Sequence, residues 1–171
     1  MRPLPLDDPR WGELSTRMGR EGEDVRSAFR VLTANPSQTP VFGEMWPTIC
    51  SEGRTYDVAF AAAPYLVPFA KQVPTQEAIE YLIVLGLIVT YAGVAPSDLE
   101  PAYRKATADA LSVALRRLVD CPIDVTLRYL LAAVAAFRGR TDLASVLQDL
   151  DAIEVIARHA EPSSSRKSCK T

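Results

Sequence analysis

The chain has 171 residues, 48% of them hydrophobic and 23% charged, and a formal net charge of −2. That length fits one domain that buries a core without disulfides or metals, and the 23 Ala and 18 Leu against 8 Gly favour helix and exclude an all-β or collagen-like chain. Residues 1–159 carry −4 and residues 160–171 carry +2; duplex binding rests on neutralised phosphates, so nucleic acid is not an expected partner.

Asp8-Pro9 reads as an N-cap with proline at N1, opening a first helix whose Trp11, Leu14 and Met18 share a face and which Gly19 ends. Glu21, Glu23 and Asp24 open a second helix with Val25, Phe29 and Leu32 on its stripe, and Asn35-Pro36 stops it. Residues 36–41 read as a loop, followed by a short third helix from Phe42 to Ser51 that Pro47 disturbs. The fourth segment, Thr55 to Gln72, is apolar round most of its circumference and carries Pro64 and Pro68, so a kink or break near Pro64 is expected.

Thr75 is placed to cap a fifth helix whose Ile79, Leu82, Leu85 and Ile88 leave little polar face. A helix apolar all round belongs in the middle of a domain. The uncharged run from Tyr81 to Ser97 is short for a membrane span and holds Gly86, Gly93 and Pro96, so a buried core helix is expected and no membrane partner. Ser97 and Glu100 match a capping box for the sixth helix, which runs to about Val119. Asp124 caps the seventh, Val125 to Phe137, with Gly139 as its C′ residue, and Thr141-Asp142 starts the eighth. The expected organisation is one helical domain over 1–160 and a disordered polar tail over 161–171, with hairpins over 8–34, 42–72, 76–119 and 124–159.

The N-terminal segment has no apolar stretch of the signal-peptide kind, and Cys50, Cys121 and Cys169 form no CxxC pair. Cytoplasmic residence, no metal and no cofactor are expected. His159 is the single histidine and stands beside the tail, where a surface or helix-terminal role suits it. No phosphate loop, dinucleotide-binding glycines or HExxH zinc motif is present, so no enzyme activity is expected.

The stretch from Cys50 to Asp57 is locally the most unusual. Glu52, Arg54, Tyr56 and Asp57 are the candidate partner-binding residues. The plainer reading is a helix–helix turn with Gly53 as C′ and Thr55 or Asp57 as the next cap. Trp11 and Trp46 suit core packing or interface anchoring, with the core preferred. Arg26 and Arg30, four apart, mark either a solvated face or a spot awaiting an acidic partner.

Leu6-Asp7-Asp8-Pro9-Arg10-Trp11-Gly12-Glu13-Leu14, Trp46-Pro47-Thr48-Ile49 with the turn to Tyr56, and the Ala-rich run ending Pro64-Tyr65-Leu66 resemble a group of uncharacterised bacterial proteins with HEAT-like repeats. Arg128 to Gly139 resembles the second helix of such a repeat. The chain departs from the pattern at Ser51-Glu52, where His-Gln is commoner. The resemblance implies an all-α fold, a short right-handed α-solenoid of HEAT-like hairpins with about eight helices, and it implies no reaction. Some relatives look like neighbours of toxin–immunity systems. The expected function is non-enzymatic binding of another protein, with an immunity or antidote role toward a bacterial toxin as one form. The alternative is a HEAT-like DNA glycosylase, which needs a basic groove that a −4 body does not favour.

Overall fold

The N-terminal segment is held by polar bonds to the body of the protein. Asp8 accepts the Arg10 backbone N–H at 3.0 Å and caps a 3-10 turn, Pro9–Glu13. The expected helix stops there. Leu14 is extended, the Ser15 carbonyl accepts the N–H of Val58, Thr16 bridges Gly19, and the Arg17 N–H reaches the Thr48 carbonyl. These tertiary bonds satisfy the backbone groups that a longer helix would use. Trp11 is fully buried, and its indole N–H donates to the Pro5 carbonyl at 2.9 Å, so its role is in the core.

The computed structural model describes residues 2–17, 19, 22–122 and 125–150. Met18, Asp124, His159, the later part of the eighth expected helix and the 161–171 tail lie outside them. The described residues are mostly helical. They form α1 (Gly22–Ala34), α2 (Thr39–Ile49), α3 (Asp57–Gln72), α4 (Thr75–Tyr91), α5 (Glu100–Arg117), α6 (Val125–Phe137) and α7 (Thr141–Asp149). A second 3-10 turn, Leu118–Asp120, follows α5.

Local chemistry accounts for most of the boundaries. α1 begins with Glu23 and Asp24 in its first turn and buries Val25, Phe29 and Leu32. Arg26 pairs with Glu23 and also reaches the Asp8 carbonyl, so the charge beside Arg30 is already engaged. α2 starts earlier than expected, because Pro40 fits its first turn, and it runs through Pro47. α3 runs through Pro64 and Pro68 without a break. Interior proline costs about 3 kcal/mol, and here the helix buries Ala59 to Ala63, Leu66, Val67 and Phe69, which offsets that cost. α5 starts at Glu100 without a side-chain cap. The Pro96 carbonyl, rather than the Ser97 hydroxyl, takes the N–H groups of Leu99 and Glu100. α6 ends as expected at Gly139 (φ 77°), where Arg140 N–H bonds Ala135 O and Gly139 N–H bonds Ala136 O, the two bonds of a Schellman ending.

α4 is buried on nearly every side and lies against α3, α5, α6 and α7. Gly86 permits its closest approach: a Cβ there would stand 2.6 Å from the Ala133 Cα of α6. α3 packs on both α4 and α5. The expected pairing of residues 42–72 is weaker than the α3–α4 pairing, which turns over Val73-Pro74. An aromatic chain ties the first half together. Phe29 lies 5.6 Å from Tyr65 and 5.8 Å from Phe69, and Tyr81 lies 5.6 Å from Phe69 and 4.4 Å from Phe42, between ring centroids. Tyr81 and Tyr65 each place their hydroxyl on a backbone carbonyl, of Pro36 and Leu4, at 2.5 Å.

Candidate functional site

The stretch from Cys50 to Asp57 is a β-hairpin, not the helix–helix turn expected. β1 (Cys50–Ser51) and β2 (Arg54–Thr55) pair antiparallel, Cys50 opposite Thr55 and Ser51 opposite Arg54. The two loop residues, Glu52 (φ 52°) and Gly53 (φ 69°), both have positive φ. That is the type I′ pattern, whose twist matches paired strands. Glu52 is the only non-glycine residue with positive φ among the described residues. Left-handed backbone costs a non-glycine residue about 1–2 kcal/mol.

Several clamps hold this strained turn. Thr55 Oγ1 donates to the Ile88 carbonyl of α4 at 3.3 Å. Tyr56 N–H bonds the Ile49 carbonyl at 3.2 Å. Ser15 Oγ donates to Asp57 Oδ2 at 2.8 Å and accepts the Asp57 N–H at 3.1 Å. Arg17 donates to Glu52 Oε1 at 2.6 Å. Cys50 is buried 3.8 Å from Thr55 Oγ1. Burial pushes its thiol above the ordinary range, outweighing the Thr55 contact, so at neutral pH it is a protonated hydrophobe rather than a nucleophile.

The four candidate residues divide into two pairs. Glu52, with its side chain 74% exposed, and Arg54, also exposed, stand at the tip. Among the described residues the Arg54 side chain has no hydrogen bond or ion pair. Tyr56 is half-buried against the core, and Asp57 is spent on Ser15 at the start of α3. The tip presents the charges; the other two residues anchor it.

Beside the hairpin lies a cleft of about 260 Å³. Trp46, Leu87, Tyr91 and Tyr129, all half-buried, line it together with Glu52 and Asp149. The Gly53 Cα faces the Tyr91 ring, 3.6 Å from where a Cβ would stand. Ser51 is also on the wall, and its Oγ is buried with no hydrogen-bond partner among the described residues. The residues come from α2, the hairpin, α4, α6 and α7, positions that no single stretch of sequence connects. Trp46 stands out in the sequence; Tyr91 and Tyr129 give no signal there. A larger cleft of about 610 Å³ lies between α4, α5 and α6, with Glu100 and Arg104 already paired at 2.6 Å on its wall.

No three Asp, Glu, His or Cys residues gather as a metal site among the described residues. No helix described is long and apolar enough to cross a membrane. Compared with protein-family models, curated proteins and solved structures, the chain matches none.

Proposed function

We propose that the chain is a short right-handed α-solenoid of HEAT-like hairpins that binds another protein without enzymatic action in the bacterial cytoplasm, with the hairpin tip in its recognition surface. The observation that carries this reading is the clamped hairpin. A strained turn is fixed at Ser15, Arg17 and Ile88 and presents Glu52 and Arg54 to solvent beside a cleft with half-exposed aromatic walls. Rigid presentation lowers the ordering cost of binding, and partly exposed aromatic side chains are the usual energetic anchors of interfaces. Stacking of hairpins is supported by the contacts of α3 with α5 and of α4 with α6, each skipping one helix. An immunity role toward a toxin is the specific form that the sequence resemblance favours.

The test is affinity capture with the tagged full chain and with a Glu52→Lys/Arg54→Glu variant. The reading requires a stoichiometric partner retained by the parent and lost by the variant at unchanged melting temperature. Retention by both, or by neither, contradicts it. For the immunity form, co-expression with the captured partner should relieve growth inhibition in the parent alone.

A further inference from the structure

We infer that the cleft beside the hairpin is a receptor for one arginine side chain of the partner protein. The inference rests on the protein-binding reading above and names the chemistry that the partner must present. Its warrant is the cleft's lining. Two carboxylates, Glu52 and Asp149, share the wall with three aromatic side chains, and no lysine or arginine lines it. Arg17 occupies Glu52 Oε1, while Asp149 has no ion pair among the described residues.

A guanidinium stacks on aromatic faces and donates in a fork to carboxylates, whereas an ammonium is a compact, strongly hydrated point charge. The molecule already shows the stacking at this spot: the Arg128 guanidinium sits 4.8 Å from the centroid of Tyr129. That leaves Trp46 and Tyr91 as the rings for an incoming group. The buried Ser51 Oγ is an acceptor without a donor among the described residues, and an unsatisfied buried hydroxyl favours a ligand that can donate to it. A guanidinium supplies five N–H donors.

The experiment titrates Nα-acetyl-arginine methylamide into the full chain and follows Trp fluorescence. Trp11 is fully buried, so a change reports on Trp46. The citrulline amide, uncharged and of the same shape, and the lysine amide are run beside it. Saturable binding of the arginine amide is expected, with Asp149→Asn and Tyr91→Leu each weakening it roughly fivefold. Equal binding of citrulline overturns the inference, as does equal binding of lysine or an unaffected Asp149→Asn. Tighter binding in an Arg158→Gln/Arg166→Gln variant assigns the cleft to the chain's own basic residues and also overturns it. Partner capture that depends on Glu52 and Arg54, without binding of the arginine amide, sinks this inference alone. Binding of the amide without any captured partner leaves the cleft chemistry standing and sinks the protein-binding reading.

Discussion

Replacing Gly86 with alanine tests the packing at the centre of the molecule. By intrinsic propensity alone, Gly→Ala inside a helix stabilises by about 0.8–1.0 kcal/mol. At Gly86 the new Cβ would lie 2.6 Å from the Ala133 Cα, whereas unstrained carbon atoms approach to about 3.5 Å. α4 and α6 must therefore separate by roughly 1 Å. α4 is also packed against α3, α5 and α7, so it has no free side toward which to move. Overpacking of this kind costs about 1–3 kcal/mol, and the net expectation for Gly86→Ala, after the propensity gain, is a loss of about 0–2 kcal/mol, or a melting temperature lower by up to about 6 °C. Calorimetry and urea titration measure it. Gly43, mid-way along α2 with nothing within 4 Å of its Cβ position, is the internal control: Gly43→Ala should stabilise by about 0.5–1 kcal/mol. Adding Ala133→Gly should recover little stability in the Gly86→Ala background, because the Ala133 Cα stays in place and the new glycine weakens α6. A Gly86→Ala protein that is stabilised like Gly43→Ala would refute the α4–α6 contact.

Three further outcomes follow from single interactions. Arg117 donates to the carbonyls of Ala70 (3.1 Å) and Val73 (3.0 Å) and to Thr75 Oγ1 (3.0 Å), closing the α3–α4 turn from the end of α5. Arg117→Met should cost about 2 kcal/mol in urea unfolding, and Arg117→Lys should recover only part of it, since one ammonium cannot span three acceptors. Glu52→Asn relieves left-handed strain and loses an exposed ion pair worth at most about 1 kcal/mol, so it should leave stability equal or slightly higher, while Gly53→Ala should lower it by about 1 kcal/mol. Tyr81 and Tyr103 are pushed up to about 12 by burial. Unfolded tyrosine loses its proton near pH 10, about 2 units below the folded groups. The folded state then holds more protons, and stability should fall as pH rises from 10 to 12. Tyr103→Phe, which keeps the edge contact to Phe60, should flatten that fall in urea titrations across the range.

The parts of the fold that were legible in the sequence are those that a single helix determines. α4 has little polar face, so its central place follows from composition, and Gly139 marks a helix end because the ending needs positive φ there. The misreadings arise where a distant group takes over a local one. Ser97 has the cap chemistry, but the Pro96 carbonyl takes the N–H groups. Leu14 has helical spacing, but the next residues bond α3 and Gly19. The hairpin was hidden for another reason. Its strands are too short to show alternation, and glutamate occupies the first left-handed position, where asparagine or glycine would have announced a type I′ turn. Glu52 and Arg54 were found because charge clusters in sequence. Tyr91, Tyr129 and Asp149 join them only through packing of α4, α6 and α7.

The most direct measurement of the recognition surface is photo-crosslinking from inside living cells. A benzophenone side chain at position 54, on the hairpin tip, is compared with one at the exposed position 30 on α1. A discrete protein adduct is expected from position 54 and none from position 30. No adduct from position 54, or the same adducts from both positions, contradicts the protein-binding reading.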